Sequence, residues 1–381
     1  MNRPIYFDNN ATTAVEQSVL DRMIPYFTME YGNPSNTSHV FGWAADEAVQ
    51  IAREQMANLL GADPQGLVFT SGATEAINHV IKGLGKGRTS GHIITAATEH
   101  KAVLNACEEL ESQGIETTYL PVDQNGQISV EQVKAALRDD TFLVTVMWAN
   151  NETGVIQPIK ELGLLLKNHP AYLFTDATQS IGKVPISVEN VDFLALSAHK
   201  FYGPKGVGAV YIRPGKPVIV LPQLLHGGAQ ERGRRASTLN VPGIVGLGAA
   251  AEVASACLES GYREMKAQRD RFESSLLASF PDILINGGDV DRLPQTSNIT
   301  FKGIRAAEMM AEIGRIAVST GSACTTGSGK PSHVLSAMGL SPDEAAGTVR
   351  FSMGRHTSVE EVNEALDLLC AYAARNQPVS I

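Results

Sequence analysis

Ser197-Ala198-His199-Lys200-Phe201-Tyr202-Gly203-Pro204-Lys205-Gly206 is the stretch that decides the fold. It follows an apolar run, Val191-Asp192-Phe193-Leu194-Ala195-Leu196, that reads as a buried strand. It ends in glycine and proline, which punctuate structure. Lys200 therefore stands where a strand gives way to a turn, at the edge of a sheet, and ligands of open α/β sheets gather at such edges. An amine placed there can lose its proton and form a Schiff base with an aldehyde cofactor. An exposed loop lysine would look the same on this stretch alone.

Short apolar runs alternate with helical patterns on the N-terminal side. Strands are predicted over 67–70, 92–95, 117–120, 142–147 and 172–175, and 207–212 completes the sheet. Helices are predicted from about 74, over 101–113, 130–137 and 159–167, and over 43–60 with Gly61 as its stop. Thr13-Ala14-Val15-Glu16 fits a capping box opening a helix that runs to about Tyr26. This alternation predicts an α/β fold with a mostly parallel central sheet covered on both faces. The pattern changes after about Leu239. A long helical stretch over 241–279, with a break expected near Gly261, leads into shorter strands at 298–301 and 349–352 and a helix over 359–374. The expected division is a large domain of residues 16–250 and a smaller α+β domain made of 1–15 with 251–381.

Composition narrows the function. With 381 residues, 43% apolar and 19% charged, the chain is of the soluble globular class, and its formal net charge of −9 argues against a broad nucleic-acid surface. No secretory signal is read at the N-terminus, and no apolar run is read as long enough to span a bilayer, so no membrane association is expected. Cys107, Cys257, Cys324 and Cys370 are far apart and form no CxxC pair, which predicts neither a metal site nor a disulfide framework and fits a reducing cytoplasm.

Several stretches offer chemistry. Thr70-Ser71-Gly72-Ala73-Thr74-Glu75 lies between a strand and a helix, where small residues and free N–H groups can receive a phosphate, although an ordinary capped helix start reads alike. Thr98-Glu99-His100 precedes another helix, and an imidazole at a sheet edge can stack on a flat cofactor and carry protons. Asn150-Asn151-Glu152-Thr153-Gly154 offers an amide or simply a turn. Asp176-Ala177-Thr178-Gln179 ends a strand. A buried aspartate needs a cationic or hydrogen-bonding partner, and a protonated pyridine nitrogen is one; a helix cap is the other reading. Arg350 within Val349-Arg350-Phe351-Ser352 suits a bidentate clamp on a carboxylate or an internal salt bridge. Gly227 to Thr238 reads as a basic, flexible loop, solvated or in contact with phosphate. Cys324 sits in a run of small polar residues, Val318-Ser319-Thr320-Gly321-Ser322-Ala323-Cys324-Thr325-Thr326-Gly327-Ser328-Gly329, which offers no core to bury it. A thiol on such a loop suits attack and delivery if it is ionised, or it is an idle exposed cysteine. The other three cysteines read as core residues of helices.

Taken together, these stretches resemble the pyridoxal-phosphate-dependent cysteine desulfurases of the NifS/IscS type, within the class V aminotransferase group. The likeness runs from Ile5-Tyr6-Phe7-Asp8-Asn9-Asn10-Ala11-Thr12-Thr13 to about Val362. Its most specific pieces are Ser197-Ala198-His199-Lys200, Tyr202-Gly203-Pro204-Lys205-Gly206 and Gly321-Ser322-Ala323-Cys324-Thr325. The resemblance implies a fold-type-I aminotransferase architecture, a homodimer, pyridoxal 5'-phosphate as cofactor and L-cysteine as substrate. It makes Lys200 the Schiff-base lysine, Asp176 the partner of the pyridine nitrogen and His100 the stacking residue and proton carrier. It puts Gln179 and Asn151 at the ring hydroxyl or substrate, and Ala73, Thr74, Ser197 and His199 at the phosphate. Thr238 would reach the phosphate from the partner subunit, and Arg350 with Asn151 would hold the substrate carboxylate. Cys324 would take the sulfur as a persulfide and pass it to an acceptor protein such as an iron–sulfur cluster scaffold. After the thiol the chain departs from the pattern: Thr325-Thr326-Gly327-Ser328-Gly329-Lys330-Pro331 carries two extra glycines, and Lys330 where housekeeping members have an acid. Rival readings are an aminotransferase or selenocysteine lyase on the same fold, and an inactive binding protein that kept it.

Overall fold

The computed structural model describes residues 4–215, 217–280, 282–320 and 331–376. Its central sheet has seven strands in the order Leu67–Thr70, Gly208–Ile212, Phe193–Ser197, Tyr172–Asp176, Thr141–Thr145, His92–Ala96, Glu116–Leu120. Only Gly208–Ile212 runs against its neighbours. The remaining pairs are parallel. The reason lies in the connections. Parallel neighbours need a crossover of a dozen residues or more, whereas the short turn after Lys200 returns the chain at once and so makes an antiparallel pair. Gly208 allows the tightest approach in this sheet: a Cβ there would lie 2.3 Å from Leu196 O and 2.7 Å from Gly72 Cα. Only a glycine lets the turn before Ala73 rest on the strand.

Strand Phe193–Ser197 is buried throughout because both faces of the sheet are covered. On one face Ile93, Leu143, Phe174 and Phe193 pack with Ile77, Val80 and Cys107 of helices Ala73–Gly85 and Lys101–Glu111. On the other face Ile94, Val144, Leu194 and Leu196 pack with Val49, Met56 and Leu247 of helices Val40–Leu60 and Val241–Ser279. A second sheet, ordered Ser319–Thr320, Thr348–Ser352, Thr296–Phe301, Ile283–Ile285, is antiparallel. It has its own apolar cluster, which includes Ile5, Phe7, Phe272, Phe301, Phe351 and Leu369. Phe272 meets Phe7 and Phe351 edge-on at 6.0 and 5.0 Å, and each such pair adds about 0.5–1.5 kcal/mol beyond its buried area.

Five expectations are corrected. Helix Val241–Ser279 is continuous through Gly261, where a Cβ would meet nothing closer than 4.0 Å. Glycine there costs helix propensity but breaks no packing. The same helix carries a window of mean hydropathy 1.6, long and apolar enough to cross a membrane, though 56% of that window is buried inside the fold. Thr13 caps no helix: helix Gln17–Met23 starts after Glu16, and Thr13 Oγ1 instead donates to His199 O at 3.1 Å and accepts Tyr202 N–H at 2.8 Å. The basic stretch 227–238 is anchored rather than solvated. Buried Glu231 takes a bidentate pair from Arg53 at 2.7 and 3.1 Å and accepts Phe69 N–H at 2.8 Å, while Arg235 pairs with Glu75 at 2.9 Å. Cys107 is buried as expected, but Cys257 and Cys370 are only half-buried.

The C-terminal ends of the parallel strands lie along one edge of the sheet. The N-terminal segment crosses that edge as a strap. Asn9 N–H donates to Ser352 O at 3.0 Å, and Thr13 N–H donates to His199 O at 3.0 Å. The strap thus ties the small sheet to the turn that carries Lys200.

Candidate active site

Between strap and sheet edge lies a cleft of about 590 Å³, within the range of small-molecule sites. It brings together Lys200, Asp176, His100, Asn151, Gln179, Ser197, His199, Ala73, Thr74 and Arg350 from ten separate sequence positions. Thr238 is exposed and does not line the cleft of its own chain. Cys324 lies outside the described residues.

Lys200 closes a 3-10 turn directly after its strand. The next turn is held in an unusual shape: Tyr202 has φ 70°, a rare region for a bulky residue, and Thr13 accepts its N–H while Arg355 lies 4.5 Å over its ring. Lys200 Nζ donates to Asn10 O and Ala11 O, both at 2.7 Å. Burial, helped by the Arg350 guanidinium, pulls the amine down to about 8 against the opposing pull of Asp176 and Asp8. Part of the population is therefore the neutral, nucleophilic amine near neutral pH.

Asp176 ends the strand next to Lys200's and is 7% exposed. Its Oδ1 accepts Thr178 N–H at 3.0 Å, so the cap-like contact expected for an aspartate here is present. Its Oδ2 makes no hydrogen bond among the described residues. His100 caps helix Lys101–Glu111, its Nδ1 accepting Ala102 N–H at 3.1 Å. The residue as a whole is exposed. The crowding walls and Lys200 lower its pKa, and Asp176 raises it in part. His199 is drawn down to about 4 by burial and then by Lys200, Lys205 and Lys183, which keeps the imidazole neutral.

The start of helix Ala73–Gly85 faces the cleft, and the first N–H groups of a helix have no partner inside it. Ser197, His199 and Lys205 line the same cleft. Glu75 is turned away from being a free anion there. Burial alone would raise its pKa, but hydrogen bonds from Arg235 and Ser71 outweigh that and hold it low. The combination favours an anionic group at the helix start. With the free oxygen of Asp176 and an amine that has no carboxylate partner, these residues fit a phosphate-bearing pyridine aldehyde.

Arg350 makes the salt bridge that was one of its two readings. Its Nη2 donates to Asp8 Oδ1 at 2.7 Å and to Ser319 Oγ at 2.8 Å, and its Nη1 donates to Asn151 O at 2.9 Å. Its buried Nε has no acceptor among the described residues. The guanidinium also lines the cleft, so the salt bridge and a role toward a ligand are compatible. Sequence reasoning missed Asp8, Asn10, Ser319 and Lys205. The available signal was the polar run Asp8-Asn9-Asn10-Ala11-Thr12-Thr13 directly behind an apolar one.

It also missed Glu99, which is wholly buried. Its Oε1 accepts Met147 N–H at 2.6 Å and its Oε2 has no partner. Burial pushes its pKa well above the usual range, Met147 N–H opposes this and the Asp176 charge adds to it. Its surroundings therefore favour the neutral acid over the carboxylate. A carboxyl group whose pKa is raised by folding costs nothing below its ordinary value and progressively more as the pH rises toward its folded value. Glu99→Gln keeps the shape and removes that cost. Its unfolding free energy relative to the wild type is expected to be more than about 1.4 kcal/mol better near pH 8 than near pH 5, the equivalent of one pKa unit. Urea titrations at the two pH values measure it. An equal difference at both would mean that Glu99 is ionised in the fold.

Residues 5–365 match the family of class-V aminotransferases. A cysteine desulfurase IscS of Rickettsia felis is 45% identical over 374 residues, covering 97% of this chain and 91% of that protein. Among solved structures, a NifS-like protein superposes with a TM-score of 0.89 at 38% identity, covering 98% of this chain and 100% of that one. SspA in complex with cysteine superposes with a TM-score of 0.82 at 41% identity, covering 93% and 99%. With the expected fold and cleft both present, the chain belongs to the class-V aminotransferase family and to the cysteine desulfurases within it.

Proposed function

We propose that the chain holds pyridoxal 5'-phosphate on Lys200, converts L-cysteine to L-alanine and receives the sulfur on Cys324 as a persulfide for delivery to an acceptor protein, such as a scaffold for iron–sulfur clusters. One observation carries this reading: a partly neutral amine and a carboxylate with a free oxygen share one cleft with an open helix start. The solved relative described in complex with cysteine supports the substrate.

When bound, the cofactor draws electrons away from the amino acid's Cα. Asp176 would pair with the pyridine nitrogen through Oδ2 and keep it protonated. Ala73, Thr74, Ser197 and neutral His199 would hold the phosphate, with Thr238 serving the cleft of a partner subunit. His100 would stack on the ring. Gln179 and the Asn151 amide would face the ring hydroxyl or the substrate. Arg350 would bind the substrate carboxylate beside Asn151. Lys200 Nζ, once free, takes the α-proton, and His100 carries protons to and from the solvent side. The Cys324 thiolate attacks the substrate sulfur: an S–S bond forms as the Cβ–S bond breaks, and a proton completes the methyl group of alanine. The two thiol hydrogens end on that methyl group and on the persulfide, so no outside oxidant or reductant is needed.

The separate apolar clusters support a large domain of residues 16–250 and a small one of 1–15 with 251–381. A homodimer is supported by exposed Ile24, Phe27, Met29, Tyr31, Phe41 and Trp43, since apolar residues this concentrated suit a second copy. The cytoplasm is the compartment in which a thiol such as that of Cys324 is kept reduced. The test is mass spectrometry of the peptide containing Cys324 after incubation with L-cysteine. One added sulfur on that peptide is expected. Alanine formed with Cys324 unmodified would overturn the assignment of the acceptor.

A further inference from the structure

Lys183 follows strand Tyr172–Asp176 and looks in sequence like any other lysine. It is only 5% exposed, and no carboxylate pairs with it among the described residues. Its one hydrogen bond there runs from Nζ to Gln179 Oε1 at 3.2 Å. Gln179 Nε2 donates to Asn10 O at 2.9 Å, and Lys200 Nζ donates to the same oxygen at 2.7 Å. Two buried amines thus hang from one chain of contacts. Because an amine fills Oε1, the amide of Gln179 can turn only one way. Asn10 is fixed in turn, its Oδ1 accepting Gln295 Nε2 at 3.0 Å and its Nδ2 donating to Thr296 Oγ1 at 2.9 Å. Beside Lys183 is a cavity of about 10 Å³, about the size of one water, lined also by Tyr202, Arg355 and Gln295. The Gln295 Oε1 atom is buried without a partner among the described residues.

The charges facing this pair are Arg350 from strand Thr348–Ser352, Asp176 from its strand end and Asp8 from the strap. His199 and Lys205 face it from the turn around Lys200, and His100 from its helix start. A cation buried without a counter-ion favours the neutral amine. Burial, then Lys200, then Arg350 draw Lys183 down to about 7, below the value of about 8 for Lys200. Between these values the pair holds a single proton, mostly on Lys200.

We infer that Lys183 is the charge partner of Lys200: when Lys200 Nζ loses its positive charge, Lys183 Nζ, joined to it through Gln179 and Asn10 O, takes up a proton from solvent and restores one ammonium to the hydrogen-bonded network. The inference rests on Lys200 being the reacting amine of the proposed function. Lys183 touches no reacting atom and is a positioning residue, holding the Gln179 amide and the charge behind it. Two amines whose charges repel must each respond to the other, because the coupling is reciprocal.

The test uses the full-length chain cleared of cofactor, with carbon-13 at the lysine Cε, titrated by NMR. The Lys183 signal is the one missing in Lys183→Met, or in Lys183→Arg should the first variant not fold. The wild-type midpoint is expected at about 7. In Lys200→Met it is expected to rise by about one unit or more, a tenfold gain in proton affinity. The same midpoint in both proteins would overturn the inference, as would a Lys183 that stays charged at every pH in the wild type. No cysteine turns over in this experiment, so its outcome is independent of whether Cys324 gains sulfur.

Discussion

Lys200→Ala is expected to lower kcat by at least about a thousandfold, because the proposed function makes this residue both the covalent anchor and the base, and a positioned base alone contributes about 10²–10⁴. The yellow colour of the lysine-bound cofactor should vanish with it. The fold should survive. Lys200 is half-buried, and its amine touches only two main-chain carbonyls, which belong to the strap rather than to a core. A thermal melt close to the wild type therefore separates lost chemistry from lost structure. Lys200→Arg sharpens the test, since it returns the charge without a deprotonatable amine. It should stay as inactive as the alanine variant. In the cofactor-free wild type, the rate of cofactor uptake should rise with pH toward a midpoint near 8, because only the neutral amine attacks an aldehyde and its fraction grows as protons leave. That midpoint belongs to the pair with Lys183 rather than to one residue. Turnover of Lys200→Ala within tenfold of the wild type would remove Lys200 from the mechanism.

Several of the residues that could be read from sequence share one property: they sit at or just past the end of an apolar run. Asp176, Ser197 and Lys200 follow strands whose burial forces a periodicity on the chain, so the polar residue after the run marks the sheet edge. The strand order was less visible. Nothing local says that Gly208–Ile212 inserts between Leu67–Thr70 and Phe193–Ser197, because its partner strand is about 140 residues away. What stayed hidden depends on contacts across the chain. Asp8 and Arg350 meet from opposite ends of the sequence, and Gln295 reaches Asn10 over 285 positions. Lys183 and Glu99 escaped for a related reason: titratable residues beside a motif look solvated until packing shows how deeply they are buried. Thr13 was misassigned because capping chemistry and strap chemistry use the same hydroxyl, and the tertiary contact with His199 won over the local one.

Arg350→Gln is expected to raise the KM for cysteine by about thirtyfold or more, since truncating one partner of a buried, hydrogen-bonded charge pair costs about 2–5 kcal/mol. The difficulty is that Arg350 already has a carboxylate. Its side chain is 7% exposed and Asp8, its partner, 19%, so any loss of Arg350 also strands a largely buried anion. A drop in stability alone would therefore say nothing about substrate. Asp8→Asn resolves this. It breaks the same ion pair and should lower the melting temperature to a similar degree. It leaves the guanidinium in the cleft with one acceptor fewer, still held by Ser319 Oγ and Asn151 O and with Nε unused. A substrate carboxylate then meets a cation freed from its internal rival, so KM should stay level or fall. Opposite movements of KM at similar losses of stability mean that Arg350 serves the ligand as well as the fold. If both variants raise KM alike, the guanidinium is only a strut between the strap and strand Thr348–Ser352, and the substrate carboxylate must find its partner elsewhere in the cleft.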